Sequence, residues 1–122
     1  MHHPRWSSGD EHGSQAQVDQ LWETAVDGGV DLSLAAHDHD SERFAPLDAA
    51  GNVTDPASGT THFVVGTGGR SSYGIGTLEP GSTVTVDGLF GVLELTLDPE
   101  AFSWQFVDVG DRVLDSGTTS CE

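Results

Sequence analysis

The side chains best suited to chemistry in this 122-residue sequence are its six histidines, four of which fall in two tight groups. His2 and His3 stand side by side before Pro4, and His37-Asp38-His39 sets two imidazoles on alternate residues. A neutral imidazole offers a lone pair to a transition-metal ion and also titrates near neutral pH. At the end of a strand, His37 and His39 can diverge enough to serve two neighbouring ions. By itself such a tripeptide is more often a pair of exposed polar loop residues, so its meaning depends on the elements that position it.

Val18, Leu21, Trp22, Ala25 and Val26 recur at the spacing of one helical face, which predicts a helix over about residues 15–27. Ser14 and Gln17 fit a capping box at its start, and Gly28 and Gly29 can take the left-handed geometry that ends it. Residues 30–36 then alternate, with Val30, Leu32, Leu34 and Ala36 on one side and Asp31, Ser33 and Ala35 on the other, the period of a strand. That strand runs into His37, and the C-terminal ends of strands are where α/β folds gather ligand groups.

The middle of the chain, 46–61, has the Pro, Gly, Asp and Asn content of a loop, and 62–65 is a short apolar strand entering Gly66-Thr67-Gly68-Gly69. Residues 71–81 read as irregular. Three further strands are expected over 83–86, 92–97 and 102–109, separated by Asp87-Gly88 and Asp98-Pro99-Glu100. The C-terminal half thus reads as an antiparallel β layer, and the tail 115–122 is small and polar enough to fray. The helix and first strand have little in this reading to pack on, which points to a missing partner segment.

The ordered set His2-His3-Pro4, helix, strand ending in AHDHDSERFAPL, then FVVGTGG and GVLELTLDPEAFSWQFV resembles the calcineurin-like metallophosphoesterases, in their purple acid phosphatase-like branch. The resemblance covers nearly the whole chain. It implies an α/β (α+β) fold, the C-terminal part of a four-layer αββα sandwich with one main helix and a mostly antiparallel β layer. Residues 1–122 would then form a partial domain. It also implies roles: His2, matching the His of an HxP segment, and His37, the first His of GHxH, would hold one metal ion, and His39 would hold the other. His12, ten residues after His2, sits where the family places a histidine that binds phosphate or protonates the leaving group. The cofactors implied are two divalent or trivalent ions, iron, zinc or manganese, and the implied substrate is a phosphate ester cleaved by metal-bound hydroxide.

Several positions depart from that pattern. Ala36 stands where the family has Gly, and Ser41 where it has an aromatic residue. Glu42 and Arg43 match and are expected to form a structural ion pair; His3 is expected to pack or to shape the rim and His62 to be an ordinary strand residue. The DxH, GDxxY and GNHE or GNH segments that supply the family's remaining ligands are absent. Asp10-Glu11-His12 spells DxH, but it follows Ser7-Ser8-Gly9 and not a buried strand, so the match is fortuitous. Two metals about 3.5–4 Å apart need a bridging carboxylate, and three neutral imidazoles compensate none of their charge.

Composition narrows the partners. With 20 acidic residues against 4 arginines and no lysine, the formal net charge is -16, which disfavours nucleic acid and anionic membrane surfaces. No apolar run approaches the length of a membrane span, and the first residues do not read as a signal peptide. Secretion is implied only by the resemblance, in which a lone Cys121 would await a partner. The sequence therefore supports two readings of function. One is a phosphoric ester hydrolase to which this chain contributes the C-terminal histidines and lacks an N-terminal half. The other is a non-catalytic remnant or an acidic β-rich binding module.

Overall fold

The computed structural model describes residues 1–121. The expected helix forms as a short 3-10 turn, Ala16–Val18, leading into α1, Asp19–Asp27. The capping box does not form: no side chain caps the entry, and the Ser14 hydroxyl is instead engaged with Glu79 at 3.0 Å and with the backbone N–H of Ser7 at 3.1 Å. At the other end the Gly28 N–H donates to Thr24 O, and Gly29 takes the left-handed turn at φ 73°.

Seven strands follow: β1 Leu32–Ala35, β2 Ser41–Phe44, β3 Thr61–Val65, β4 Ser82–Val86, β5 Gly91–Asp98, β6 Ala101–Asp108 and β7 Val113–Ser120. They form two sheets. The first has the order β1-β3-β2-β4, with β1 and β3 parallel and the other pairs antiparallel; the second is an antiparallel meander, β5-β6-β7. The fold is α+β, one helix with two mostly antiparallel sheets, as the sequence predicts.

The single β layer expected from the C-terminal half is in fact divided. Strand β4 hydrogen-bonds to β2, so Asp87-Gly88 carries the chain from one sheet to the other and closes no hairpin between β4 and β5. Through Ser120 the tail does not fray either, because β7 pairs with β6 from Val113 opposite Val107 to Ser120 opposite Ala101; Glu122 lies outside the described residues. Its small polar residues alternate between half-buried and exposed and cover β6 without adding to the core.

The period-2 alternation of β3 decides the layering. Val64 joins Trp22, Phe44 and Leu47 in a core under α1, with Trp6 and Val26 at its edge. Phe63, on the opposite side, packs with Phe102 and Trp104 against Leu93 and Leu95 of the second sheet. The helix therefore has a mixed sheet to rest on, and the layers run helix, mixed sheet, antiparallel sheet. Trp22 of the helix and the three buried side chains it packs with, Phe44, Leu47 and Val64, at ~1.5–3 kcal/mol each, supply most of its anchorage. Strand β1 lies at the sheet edge, where Leu34 stays 40% exposed and lines a groove with Val65, Val92 and Leu93.

The expected Glu42–Arg43 ion pair is not made, because neighbours on a strand point to opposite faces. Arg43 reaches the second sheet and grips Asp115 in a bidentate pair, Nε–Oδ2 2.7 Å and Nη2–Oδ1 3.0 Å, beside the Trp104 indole N–H that donates to the same carboxylate. Glu42 is buried and accepts from both the hydroxyl and the N–H of Ser8 and from the Ser82 hydroxyl.

Candidate metal centre

The histidines gather where the N-terminal segment runs beside the end of β1. The Met1 ammonium donates to Leu34 O at 2.7 Å, and Ala36 N donates to His2 O at 3.0 Å. These two bonds fix the segment at both ends of His2, and His37 follows at once. Its backbone leaves the strand in the left-handed region, φ 69°, which turns the ring back toward the N-terminus.

His2 Nε2 and His37 Nδ1 consequently lie 3.1 Å apart. His3 completes the group. Its ring centroid is 5.0 Å from that of His2 and 4.3 Å from that of His37, with interplanar angles of 72° and 64°. Ligand atoms of these three residues all fall within 4.8 Å of one another. Burial together with the neighbouring His12, His3 and His2 holds His37 below the usual imidazole pKa, with Asp38 pulling the other way. A ring kept neutral in this way is ready to be a ligand.

His12 arrives on the loop 7–13, and Asp38 shapes that loop. The buried Asp38 carboxylate accepts the Ser7 hydroxyl at 2.7 Å and the N–H groups of Gly13 at 3.0 Å and His12 at 3.1 Å. The loop so held stacks His12 on His37, centroids 4.0 Å apart and planes at 24°. Gly66 lets β3 pass close beneath, since a Cβ there would stand 1.8 Å from Asp38 O.

His39 takes a different direction. Its Nδ1 lies 2.7 Å from Ser71 O, and because a carbonyl only accepts, that nitrogen carries the proton and Nε2 keeps its lone pair. The ring stacks on Tyr73 at 4.1 Å and 12°. Of the four residues singled out in the sequence, His2, His37 and His12 are thus brought together, and His39 stands outside the group whose ligand atoms converge. His62 lies inside the helix-side core between Trp22 and Phe44, as a strand residue should. Burial pushes its pKa down to about 4, with the Trp6 and Ser33 backbones opposing weakly and making no full hydrogen bond to the ring.

Sequence reasoning set His3 at the rim, although its place beside His2 was the available signal. Tyr73 and the Ser71 carbonyl, which orient His39, lie in a stretch whose irregular composition gives no such signal. The carboxylates beside the histidines face inward. Asp38 is taken up by its three donors, and Asp40 is fully buried with no partner on either oxygen. Burial, and after it Asp38, Glu42, Asp87 and Asp10, raise Asp40 to about 7. Among the described residues the converging donor group is three imidazoles with no carboxylate. Those donors fit one ion of the zinc type, and they do not fit a carboxylate-bridged pair.

No protein-family model matches the sequence, and it has no significant match among curated proteins. Solved structures share its fold. One, described as GAP50, the anchor in the inner membrane complex of Plasmodium, superposes with a TM-score of 0.79 at 21% identity over 99% of this chain and 35% of that one. Another is the purple acid phosphatase PPD1 from yellow lupin (Lupinus luteus) seeds, with a TM-score of 0.75 at 25% identity over 98% of this chain and 24% of that one. The first likeness establishes the fold alone; the second supports a distant relation to purple acid phosphatases. The chain spans only about a quarter to a third of the length of either.

Proposed function

We propose that this chain forms the histidine wall of a dinuclear phosphoesterase site and does not hydrolyse esters by itself. The observation that carries this reading is the 3.1 Å approach of His2 Nε2 to His37 Nδ1, with His12 stacked on His37. In a complete site His2 and His37 belong to one ion and His39, whose Nε2 is left free by Ser71, to its neighbour. His12 presents an imidazole on the substrate side. Iron, zinc or manganese would supply Lewis acidity there, which a chain of net charge -16 needs before it can receive a phosphate ester. The bridging carboxylate has to come from elsewhere, because Asp38 and Asp40 are both turned into the fold.

That inward turn also favours a second reading, a non-hydrolytic binding module on the same scaffold. One experiment separates hydrolysis from binding. With added zinc, iron or manganese, the isolated chain is expected to leave p-nitrophenyl phosphate intact. In the zinc-loaded chain, inorganic phosphate is expected to shift the His12 ring resonances, and in the metal-free chain it is not. Turnover that disappears in both His37→Ala and His39→Ala would overturn the incomplete-site claim. A His12 ring indifferent to phosphate would remove its substrate-side role and leave the binding-module reading.

A further inference from the structure

We infer that His3 is a metal ligand, and that His2, His3 and His37 together hold a single borderline transition-metal ion such as Zn2+ without help from any other chain. The inference rests on the histidine-wall reading for His2 and His37, and adds to it a third donor and a stoichiometry of one.

Ring orientation makes the case. An imidazole lone pair lies in the plane of its ring, so rings sharing an ion meet edge-on and not face to face. The three pairs His2–His3, His2–His37 and His3–His37 make angles of 72°, 72° and 64° with centroids 4.3–5.0 Å apart, the mutual arrangement of three imidazoles capping one face of an ion. His12 and His39 lie flat, on His37 at 24° and on Tyr73 at 12°. Flat stacking aims the His12 lone pairs along lines parallel to those of His37, so His12 does not fit the same ion, and His39 lies outside the group whose ligand atoms converge.

The distances agree. With metal–nitrogen bonds of about 2.0–2.1 Å, two nitrogens on a tetrahedral ion stand roughly 3.3 Å apart. His2 Nε2 and His37 Nδ1 share a hydrogen bond at 3.1 Å in the metal-free fold, so an ion that displaces the proton between them finds the two nitrogens near the required spacing, and all three donors lie within 4.8 Å. A small rotation of the His3 ring closes the set. Its Nδ1 is buried with no hydrogen-bond partner. Coordination through Nδ1 itself would give that atom the partner that no protein group supplies.

The donor set also selects the ion. Three imidazoles suit zinc, cobalt or nickel and discriminate against magnesium and calcium, which take oxygen ligands. Neutral donors leave the ion's charge uncompensated in the first coordination sphere, and the residue after His37, Asp38, carries a buried carboxylate. One coordination position remains for an exogenous ligand.

The test is titration of the tag-free chain with Zn2+ or Co2+. Calorimetry should give one equivalent, and cobalt should show the intense visible band of four-coordination. His3→Phe, which keeps an aromatic ring without a donor nitrogen, is expected to weaken binding at least tenfold, and Glu94→Gln, on the second sheet away from the histidines, to leave affinity and stoichiometry unchanged. Ring-nitrogen NMR of the unmodified chain covers the case of a variant that misfolds: the resonances of His2, His3 and His37 should all shift by one equivalent of zinc.

If His3→Phe binds as tightly as the parent, while His2→Ala and His37→Ala lose binding, the His3 assignment is wrong and the wall survives. A second equivalent lost on His39→Ala would also overturn the single-ion site. If none of the three histidines affects binding, the wall itself is wrong.

Discussion

Asp38 holds His12 by its backbone: the carboxylate Oδ1 accepts the His12 N–H at 3.1 Å from a residue 26 positions away in sequence. The same carboxylate takes the Ser7 hydroxyl and the Gly13 N–H, so one buried anion sets the shape of the loop. Asp38→Ala leaves three donors without that acceptor, and a loss of about 2–4 kcal/mol is expected from urea denaturation. The amides of His12 and Gly13 should lose hydrogen-exchange protection more than those of β6. Equal loss across the molecule would show that Asp38 acts on the fold generally and not on the loop.

Gly66 is where β3 leaves the sheet close to the Asp38 carbonyl. A methyl group in Gly66→Ala would have to occupy space 1.8 Å from a backbone oxygen, and no side-chain rotation relieves that. The backbone of 37–39 must move, which places the expected loss at roughly 3 kcal/mol or more. Zinc affinity should fall with it, because His37 rides on the displaced segment. By contrast, Gly88→Ala, with nothing near its side but a positive φ, is expected to lose only about 1 kcal/mol.

His62 and Asp40 should tilt stability against pH in opposite directions. Burial lowers His62 from 6.5 to about 4, so between those values the unfolded chain binds a proton that the folded chain excludes. Its contribution is complete above about 6.5 and declines as pH falls toward 4. Asp40 is raised from 3.8 to about 7, so over that range the folded chain keeps a proton that the unfolded chain has released. Its contribution is complete at acid pH and declines as pH rises through 7. Urea midpoints measured from pH 4.5 to 7.5 should therefore change little in the parent. Those of Asp40→Asn should climb with pH, and those of His62→Phe should fall. Removal of the His62 proton should spare about 2–3 kcal/mol at pH 4.5. If His62→Phe keeps the parent's pH slope, the buried imidazole is not the source.

The Arg43–Asp115 pair joins the two sheets, with side chains 20% and 10% exposed. Asp115→Ala removes the partner of a mostly covered guanidinium and of the Trp104 N–H together. A loss of about 2–3 kcal/mol is expected, and 1 M salt should recover little of it because the pair is shielded from solvent. A loss below 0.5 kcal/mol would class it with ordinary surface pairs.

Local periodicity made the helix, β1, β3, β5 and β6 legible, since Trp22 and Val26 or Phe102, Trp104 and Phe106 repeat at the spacing their structure requires. It could not divide the strands between sheets. Asp87-Gly88 has the composition of a hairpin turn, and only pairing with β2, a strand whose Ser-Glu-Arg-Phe sequence carries no β signature, draws β4 away. The polar tail was misjudged for a related reason: β7 is held by the backbone ladder of β6 and by Asp115, not by apolar side chains. At the site, the proximity of His2, His12 and His37 follows from ordered motifs. The edge-on fit of His3 and the flat stacking of His39 depend on ring directions that no spacing encodes.

The left-handed backbone at His37 sets what could be done to this molecule by selection for robustness. A side chain with a Cβ gives up about 1–2 kcal/mol in that conformation, and glycine, or to a smaller degree asparagine, relieves it. Replacement of His37 by either would remove an imidazole that the other histidines converge on, in exchange for a calmer turn. A screen that rewards only heat tolerance would therefore erase this imidazole early, and the surviving proteins would look improved while the histidine cluster was lost.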